Sequence, residues 1–450
     1  MKVIVVGAGP AGLAATYHLK KKGVDVTAYE ASPHAGGRAR GYFKDGYLID
    51  VGAQFAAPFY ATTMSLMHEL GMGDEFKPFK FKTAVWRDGV LYPSNSSLHL
   101  RDQINDLPDL IRFRGFSIRT LFQTTKMFPG LLRNYRRVDY GNWDFTRLLP
   151  LDDMSVADYT LRYGGQDALE YLFQPLTAYL TLGEPEEVSM SHFLAILGFF
   201  IQGLVSLKHG IGQVCRSLHD ACAEHVRLSS PVKRIVIEDG RIKGIDVDSG
   251  LIEADAVICA LSSVDALKLM PDLPEAMKRL LGTVKYSSTC HITFGLEKRL
   301  LPENWYSIIL PRKAGFITTG PVESSGKSPY YAPAGGGLVH CLTYGKKALQ
   351  YMHIPDAELK KIMIEDIRRI MPQFPDNPPV AEIHRWDNAV CLQSPGQFPA
   401  VLKLKSEHAH DVRGLFLAGD YMSLFSSVEA ALRSGIYAAD MATENGDVLN

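Results

Sequence analysis

Residues 2–30, KVIVVGAGPAGLAATYHLKKKGVDVTAYE, decide the fold. Lys2–Val6 is a short β-branched apolar run that reads as a buried strand. Gly7, Gly9 and Gly12 follow as G-x-G-x-x-G, and Pro10 or Ala11 opens a helix that runs to about Lys22. Gly23 ends that helix, and VDVTAYE forms a second strand closing on Glu30, 18 residues after Gly12. Strand, glycine turn, helix, strand and acid in this order spell a dinucleotide-binding βαβ unit. Gly7 makes the turn, Gly9 lets backbone approach a pyrophosphate, and Gly12 lets the helix pack on the strand. The helix start at Pro10 and Ala11 then faces the phosphates. Glu30, with Ala31 beside it, can take ribose hydroxyls and leaves no room for a 2′-phosphate. A signal peptide is a poorer reading, because Pro10 and the glycines break the apolar run and Lys20, Lys21 and Lys22 lead into no processing site.

The next residues choose between dinucleotides. ASPHAGGRARGY supplies Gly36 and Gly37, a second close backbone approach, and Arg38, a charged partner for a pyrophosphate. YLIDVGAQF reads as a strand leading to Asp50, Gly52 and Ala53, small residues where a flat ring could stack, with Gln54 beside it. Near the C-terminus GLFLAGD, 414–420, reads as a strand ending in Gly419 and Asp420. SSVEAALRSGIYAADMA then reads as a helix with Ser426 and Glu429 as an S-x-x-E capping box. Asp420 can accept from ribityl hydroxyls. The helix start at Ser427 and Val428, with Ala431 on the first turn, can aim N–H groups at a flavin ring edge. An NAD enzyme needs none of these extra contacts; an FAD enzyme needs them all.

Composition is that of an ordinary globular chain. The 450 residues hold 46% hydrophobic and 22% charged residues, with 48 Lys+Arg against 49 Asp+Glu. That excludes disorder and fibrous repeats, and the net charge of −1 argues against nucleic-acid binding. The six cysteines form no C-x-x-C, so they read as buried apolar residues in a reducing, cytoplasmic setting, with no metal site. Phe193–Leu207, FLAILGFFIQGLVSL, is too short to span a bilayer and reads as a core helix or as the wall of an apolar tunnel. Between Leu110 and Val138 stand seven cations (Arg112, Arg114, Arg119, Lys126, Arg133, Arg136 and Arg137) and no acid, interleaved with Phe113, Phe116, Phe122, Phe128 and Tyr135. Such a run is either a solvated helical face or a peripheral contact with an anionic membrane.

GAGPAGL, EASPHAGGR, DVGAQ and AGDYMSLFSSVEAALRSG together resemble the FAD-dependent amine oxidase superfamily, which includes monoamine oxidases, protoporphyrinogen oxidase and phytoene desaturases. The resemblance covers nearly the whole chain. It implies an α/β fold, a Rossmann-like FAD-binding domain of the glutathione-reductase type with an interleaved α+β substrate domain. The FAD domain would be drawn from 1–80, 208–285 and 405–450, and the substrate domain from 81–207 and 286–404. It also implies that Val232 contacts adenine through its backbone and that Ala260 sits in the loop after the last strand of the middle segment. GIGQVCRSLHDAC reads as an amphipathic helix from Gly212 to about Glu224, followed by strands with turns at Asp239-Gly240 and Ser249-Gly250.

Several segments are most similar to protoporphyrinogen oxidase and its coproporphyrinogen-oxidising relatives. These are MSVADYTLRYGGQDALEYLFQPLTAYLTLGEPEEVSM, VKYSSTCHITFGLEK, and IHRWDNAVCLQSPGQFPAV with Arg385, Trp386 and Ala389. Gly419-Asp420 departs from that pattern toward desaturases and amine oxidases, and Cys391 stands where a proline is usual. The marks of a small-amine oxidase are missing: Ser427 replaces an aromatic of the amine cage. Thr289 replaces the lysine near the flavin, although Lys285 is close by. The resemblance implies hydride transfer from a C–H or C–N bond of a mostly apolar substrate to flavin, which oxygen or a quinone reoxidises; a carotenoid- or squalene-type desaturase, or an amine oxidase without the usual cage, is the alternative. Hydride transfer needs orientation and a dry pocket more than a base. Gln54, Tyr344 and Trp386 are the candidates to face the reacting bond, Tyr421 is another aromatic for the pocket, and His291 reads as a structural histidine. A non-catalytic escort protein on the same scaffold would not need Gly37-Arg38 or Gly419-Asp420.

Overall fold

The computed structural model describes residues 1–79, 82–95, 118–302 and 305–444. Lys2–Val6 lies at the centre of a five-stranded parallel sheet ordered Leu415–Leu417, Ala256–Cys259, Lys2–Val6, Asp25–Tyr29, Val226–Arg227. Parallel strands need crossovers, and the first is the helix Pro10–Lys21. Its partner is the C-terminal helix Val428–Glu444. The two approach so closely that a Cβ on Gly435 would stand 2.0 Å from the Ala11 carbonyl oxygen.

Beside this sheet Arg234–Glu238, Arg241–Val247 and Gly250–Glu253 form an antiparallel meander. Asp239 and Gly240 both take positive φ, 49° and 68°, the tight hairpin turn that their sequence signals. A seven-stranded mixed sheet holds strands from 82–95 and 289–386. A helical layer from 118 to 202 shares one core with the first sheet and its helices and meets the seven-stranded sheet where Gln174–Thr181 lies against Trp305–Ile309.

Three expectations need correction. The apolar run Phe193–Leu207 is not one helix. Met190–Ile196 and Gly198–Gln202 are helical, Gly203 breaks out at φ 85°, and Leu204–Leu207 becomes a strand paired with Phe76–Phe79. Ser426 and Glu429 form no capping box. Ser427 Oγ accepts the Ala430 N–H at 3.1 Å and is the cap, while Ser426 turns to Asp420. Glu429 caps a different helix, Ala61–Glu69, accepting the N–H groups of Thr62 (2.9 Å) and Thr63 (2.8 Å). The strand expected over 414–420 covers only Leu415–Leu417, because Gly419 at φ 151° turns the chain out of the sheet.

Of the basic run, Ile118–Tyr135 is helical, with Met127 and Leu131 buried and Phe122 and Leu132 exposed. Arg112, Phe113, Arg114 and Phe116 lie outside the described residues. Among the described residues no helix is long and apolar enough to cross a membrane. All six cysteines are free and buried.

Candidate active site

The glycine turn is built on contact distances. A Cβ on Gly12 would stand 1.8 Å from the Gly7 carbonyl oxygen, so only glycine lets the helix sit there. A Cβ on Gly9 would meet nothing within 4 Å. That open space lies at the start of the helix Pro10–Lys21, where a phosphate group fits. Glu30 is fixed by the N–H groups of Ala8 and Ser32, both at 2.8 Å. The segment carrying Val232 runs alongside, with Ser230 N–H donating to the Glu30 carbonyl at 2.8 Å. Ala260 lies on the other side of the turn, its carbonyl 3.0 Å from where a Gly7 Cβ would be. Gly36 (φ 110°) and Gly37 (φ 50°) fold the next loop against Gly9.

A cavity of about 240 Å³ opens from Pro10, at the end of this turn, onto the seven-stranded sheet. One side is lined by Pro10, Arg38, Gly52, Ala53, Gln54, Asp420, Ser427, Val428 and Ala431. These residues come from sequence positions up to 421 apart, and the fold brings them together. Arg38 donates to Asp420 Oδ1 at 2.9 Å and to the Ala389 carbonyl at 3.0 Å. Ser426 donates to Asp420 Oδ2 at 2.6 Å. Burial works against the Arg38 charge, but Asp420 outweighs it and holds the guanidinium protonated. The Ser427 cap takes the Ala430 N–H, leaving the first N–H groups of the helix, at Val428 and Glu429, uncapped. The cradle thus combines an open phosphate corner, a paired arginine and a helix start. It fits FAD.

The other side is a wall of Phe55, Tyr60, Tyr179, Leu180, Leu182, Phe199, Tyr306, Val322, Leu342 and Trp386. Phe55 and Phe199 meet edge to face at 5.1 Å. Burial pushes the Tyr60 and Tyr179 hydroxyls well above their ordinary range, so both stay neutral. Trp386 lines the cavity as expected and is steered by its indole N–H, which donates to the Val51 carbonyl at 2.9 Å. Thr289 lines it too.

His291 is buried, satisfied and lines the cavity. The Val51 carbonyl can only accept, so Nδ1 carries the proton (3.0 Å) and Nε2 accepts from His340 Nδ1 (2.9 Å). The Gln54 amide is equally committed: Nε2 donates to the Asp50 and Gly52 carbonyls, and Oε1 accepts from Lys327 at 3.2 Å. Among the described lining residues, no carboxylate or imidazole is left as a free base.

Three sequence candidates lie elsewhere. Tyr344 does not reach the cavity. Its strand ends at Leu342, the alternation of faces stops there, and the ring packs on Ala178 and Leu182. Tyr421 is enclosed in the core behind Gly419. Asp50 offers no stacking surface. Its carboxylate points away from Gly52 and Ala53, accepting from Tyr331 Oη (2.7 Å) and Gly212 N–H (3.3 Å). Phe199 lies in the apolar run read as a core helix or tunnel wall and does line the cavity, whereas Tyr179, Tyr306 and Lys327 carry no signal in the sequence pattern.

Burial also pushes His192 and His291 down to about 4. Both are neutral in the folded chain, whereas the unfolded chain takes up their protons below about pH 6.5. Their contribution is therefore intact above that pH and is lost progressively down to about 4, by roughly 3 kcal/mol for each histidine. The urea midpoint should fall continuously from pH 6.5 to pH 4.5; a flat midpoint would contradict this.

Comparison with known proteins gives a consistent picture. A family model described as flavin containing amine oxidoreductase matches residues 10–442. The chain is 25% identical over 501 residues to protoporphyrinogen oxidase 2, chloroplastic/mitochondrial, of Arabidopsis thaliana, covering 98% of this chain and 93% of that one. It is 21% identical to coproporphyrinogen III oxidase of Bacillus subtilis, covering 93% of each. Among solved structures it resembles cyclohexylamine oxidase from Brevibacterium oxydans, with a TM-score of 0.75, 18% identity and 99% of both chains covered.

Proposed function

The chain belongs to the flavin containing amine oxidoreductase family, and from that premise we propose that it takes a hydride from a mostly apolar, porphyrinogen-like substrate. It is an FAD-dependent oxidoreductase. When bound, FAD supplies the hydride acceptor, and oxygen or a quinone is proposed to accept the electrons afterwards. Pro10, Glu30, Arg38, Asp420 and Ser427–Val428 are proposed to hold the cofactor, with Gly9 and Gly37 admitting its phosphates. The proposed division is a cofactor part from 1–80, 208–285 and 405–450, and a substrate part from 81–207 and 286–404.

One observation carries the substrate class. The cavity wall is aromatic and aliphatic, and among the described residues the only charges that line it, Arg38 and Asp420, neutralise each other. An ammonium or carboxylate at the reacting end would enter without a partner and pay its desolvation. The puckered pyrrole ring system of a porphyrinogen carries no charge at its reacting bridge carbons, its carboxylates lying on side chains away from them, so that end loses little on entry and gains contact with Tyr60, Phe199, Tyr306 and Trp386. The wall's task is then to orient the C–H bond and exclude water, with no base required. The relatives that oxidise porphyrinogens support this choice over a carotenoid or amine. Exposed Phe122 and Leu132 beside Lys126, Arg133 and Arg136 fit a peripheral contact with an anionic membrane that would deliver such a substrate.

In air, the holoenzyme should turn protoporphyrinogen IX or coproporphyrinogen III into fluorescent porphyrin at a rate proportional to enzyme. Primary amines should give at least 100-fold less hydrogen peroxide. The reverse ranking would overturn the proposal in favour of an amine oxidase.

A further inference from the structure

Behind Gln54 sits a cation that the reading above does not use. Lys327 is 4% exposed, and among the described residues no other lysine or arginine is buried. Its Nζ donates to the Gln54 carbonyl at 2.9 Å and to Gln54 Oε1 at 3.2 Å. It also lies over the rings of Tyr331 (4.6 Å) and Tyr306 (5.9 Å). Gln54 and Tyr306 both line the cavity. Two buried carboxylates, Asp50 and Glu323, act on the ammonium electrostatically, yet neither stands within 4.0 Å of it as an ion pair. Asp50 is taken by Tyr331 and Gly212. Glu323 Oε1 is taken by Ser325 and Leu338, and its Oε2 has no hydrogen-bond partner among the described residues. His291 and His340, the other titratable groups facing Lys327, are held neutral by burial.

A buried ammonium without a contact ion pair is costly, and an uncharged side chain could fill the same space. What the charge adds is a fixed positive potential on the amide that borders the cofactor space. We infer that Lys327 is a positioning residue that locks the Gln54 amide in one orientation and favours the reduced, more negative state of the flavin. The inference rests on the FAD reading above. Burial pushes the Lys327 ammonium down to about 8, so its charge is lost within an accessible pH range. As pH rises through 8 the potential should therefore bend to a steeper fall. The histidines around it titrate well below that window, and Tyr306 and Tyr331 well above it.

The test is the midpoint potential of the bound flavin in the full-length holoenzyme, measured against reference dyes from pH 6.5 to pH 9.5. Wild type should show the bend. Lys327→Met should make reduction at pH 7 at least tenfold less favourable, about 30 mV for a two-electron couple, and should remove the bend. Lys327→Arg should keep the pH 7 potential and also lack the bend. A Lys327→Met potential within threefold of wild type with the bend retained would overturn the inference. If neither variant folds, a wild-type profile without a bend overturns it. A chain that takes up no FAD would overturn the cofactor reading and this inference with it, whereas bound FAD with an unmoved potential overturns the inference alone.

Discussion

Gly9→Ala is expected to leave the fold intact and to weaken FAD binding by at least 100-fold. Gly9 has φ −74° and ψ −175°, a conformation that alanine adopts without strain. Its new methyl would meet no protein atom within 4 Å. The only thing it can meet is what occupies the open corner at the helix start, and a pyrophosphate packed on that backbone would be displaced. A hundredfold loss corresponds to about 2.8 kcal/mol. Gly12→Ala is the contrasting case. Its methyl would stand 1.8 Å from the Gly7 carbonyl, so helix and strand must separate and stability falls together with binding. Thermal unfolding and FAD titration of the two purified variants separate these effects. A Gly9→Ala protein as yellow as wild type would place the phosphates elsewhere.

The second large effect is expected at Asp420. Asp420→Ala removes the carboxylate that pairs with Arg38 and accepts from Ser426. Arg38 would then stand in the cavity with the Ala389 carbonyl as its remaining hydrogen-bond acceptor and the Tyr286 ring beneath it. Breaking a fully buried pair costs about 3–5 kcal/mol. Here the figure is nearer 2 kcal/mol, because 31% of the Arg38 side chain is exposed against 11% for Asp420. FAD affinity should fall by about 10–100-fold, since the same carboxylate is proposed to meet the ribityl chain. Asp420→Asn keeps one acceptor oxygen and should lose about tenfold less. Equal losses for the two variants would show that charge, not hydrogen bonding, governs the site.

The cofactor half of the molecule is legible in the sequence because it depends on backbone. Gly7, Gly9 and Gly12 are demanded by turn and approach, and such demands leave glycines at fixed spacing. Asp420 and Arg38 were legible as motif residues, although nothing in the chain says that they pair with each other. The cavity wall is legible only in Trp386 and in the apolar run that carries Phe199. Phe55, Tyr60, Tyr179 and Tyr306 come from separate segments, and each alone reads as an ordinary core aromatic. Lys327 sits in SSGKSP, which reads as a polar surface loop; only tertiary packing buries it. Tyr344 shows the opposite failure: it reads as a pocket residue, but its strand ends at Leu342 and the ring packs on Ala178 and Leu182 instead. The capping box failed because a helix start inside a protein can be capped by its neighbour's needs. Glu429 serves Thr62 and Thr63, and Ser427 takes its place.

The central claim is that the aromatic cavity presents an uncharged, porphyrinogen-like C–H bond to the flavin. The most direct measurement is anaerobic mixing of the yellow holoenzyme with coproporphyrinogen III or protoporphyrinogen IX, followed by flavin absorbance. Bleaching within seconds is expected at saturating substrate, then return of the absorbance and porphyrin fluorescence when air is admitted. A flavin that stays oxidised with both porphyrinogens would contradict it.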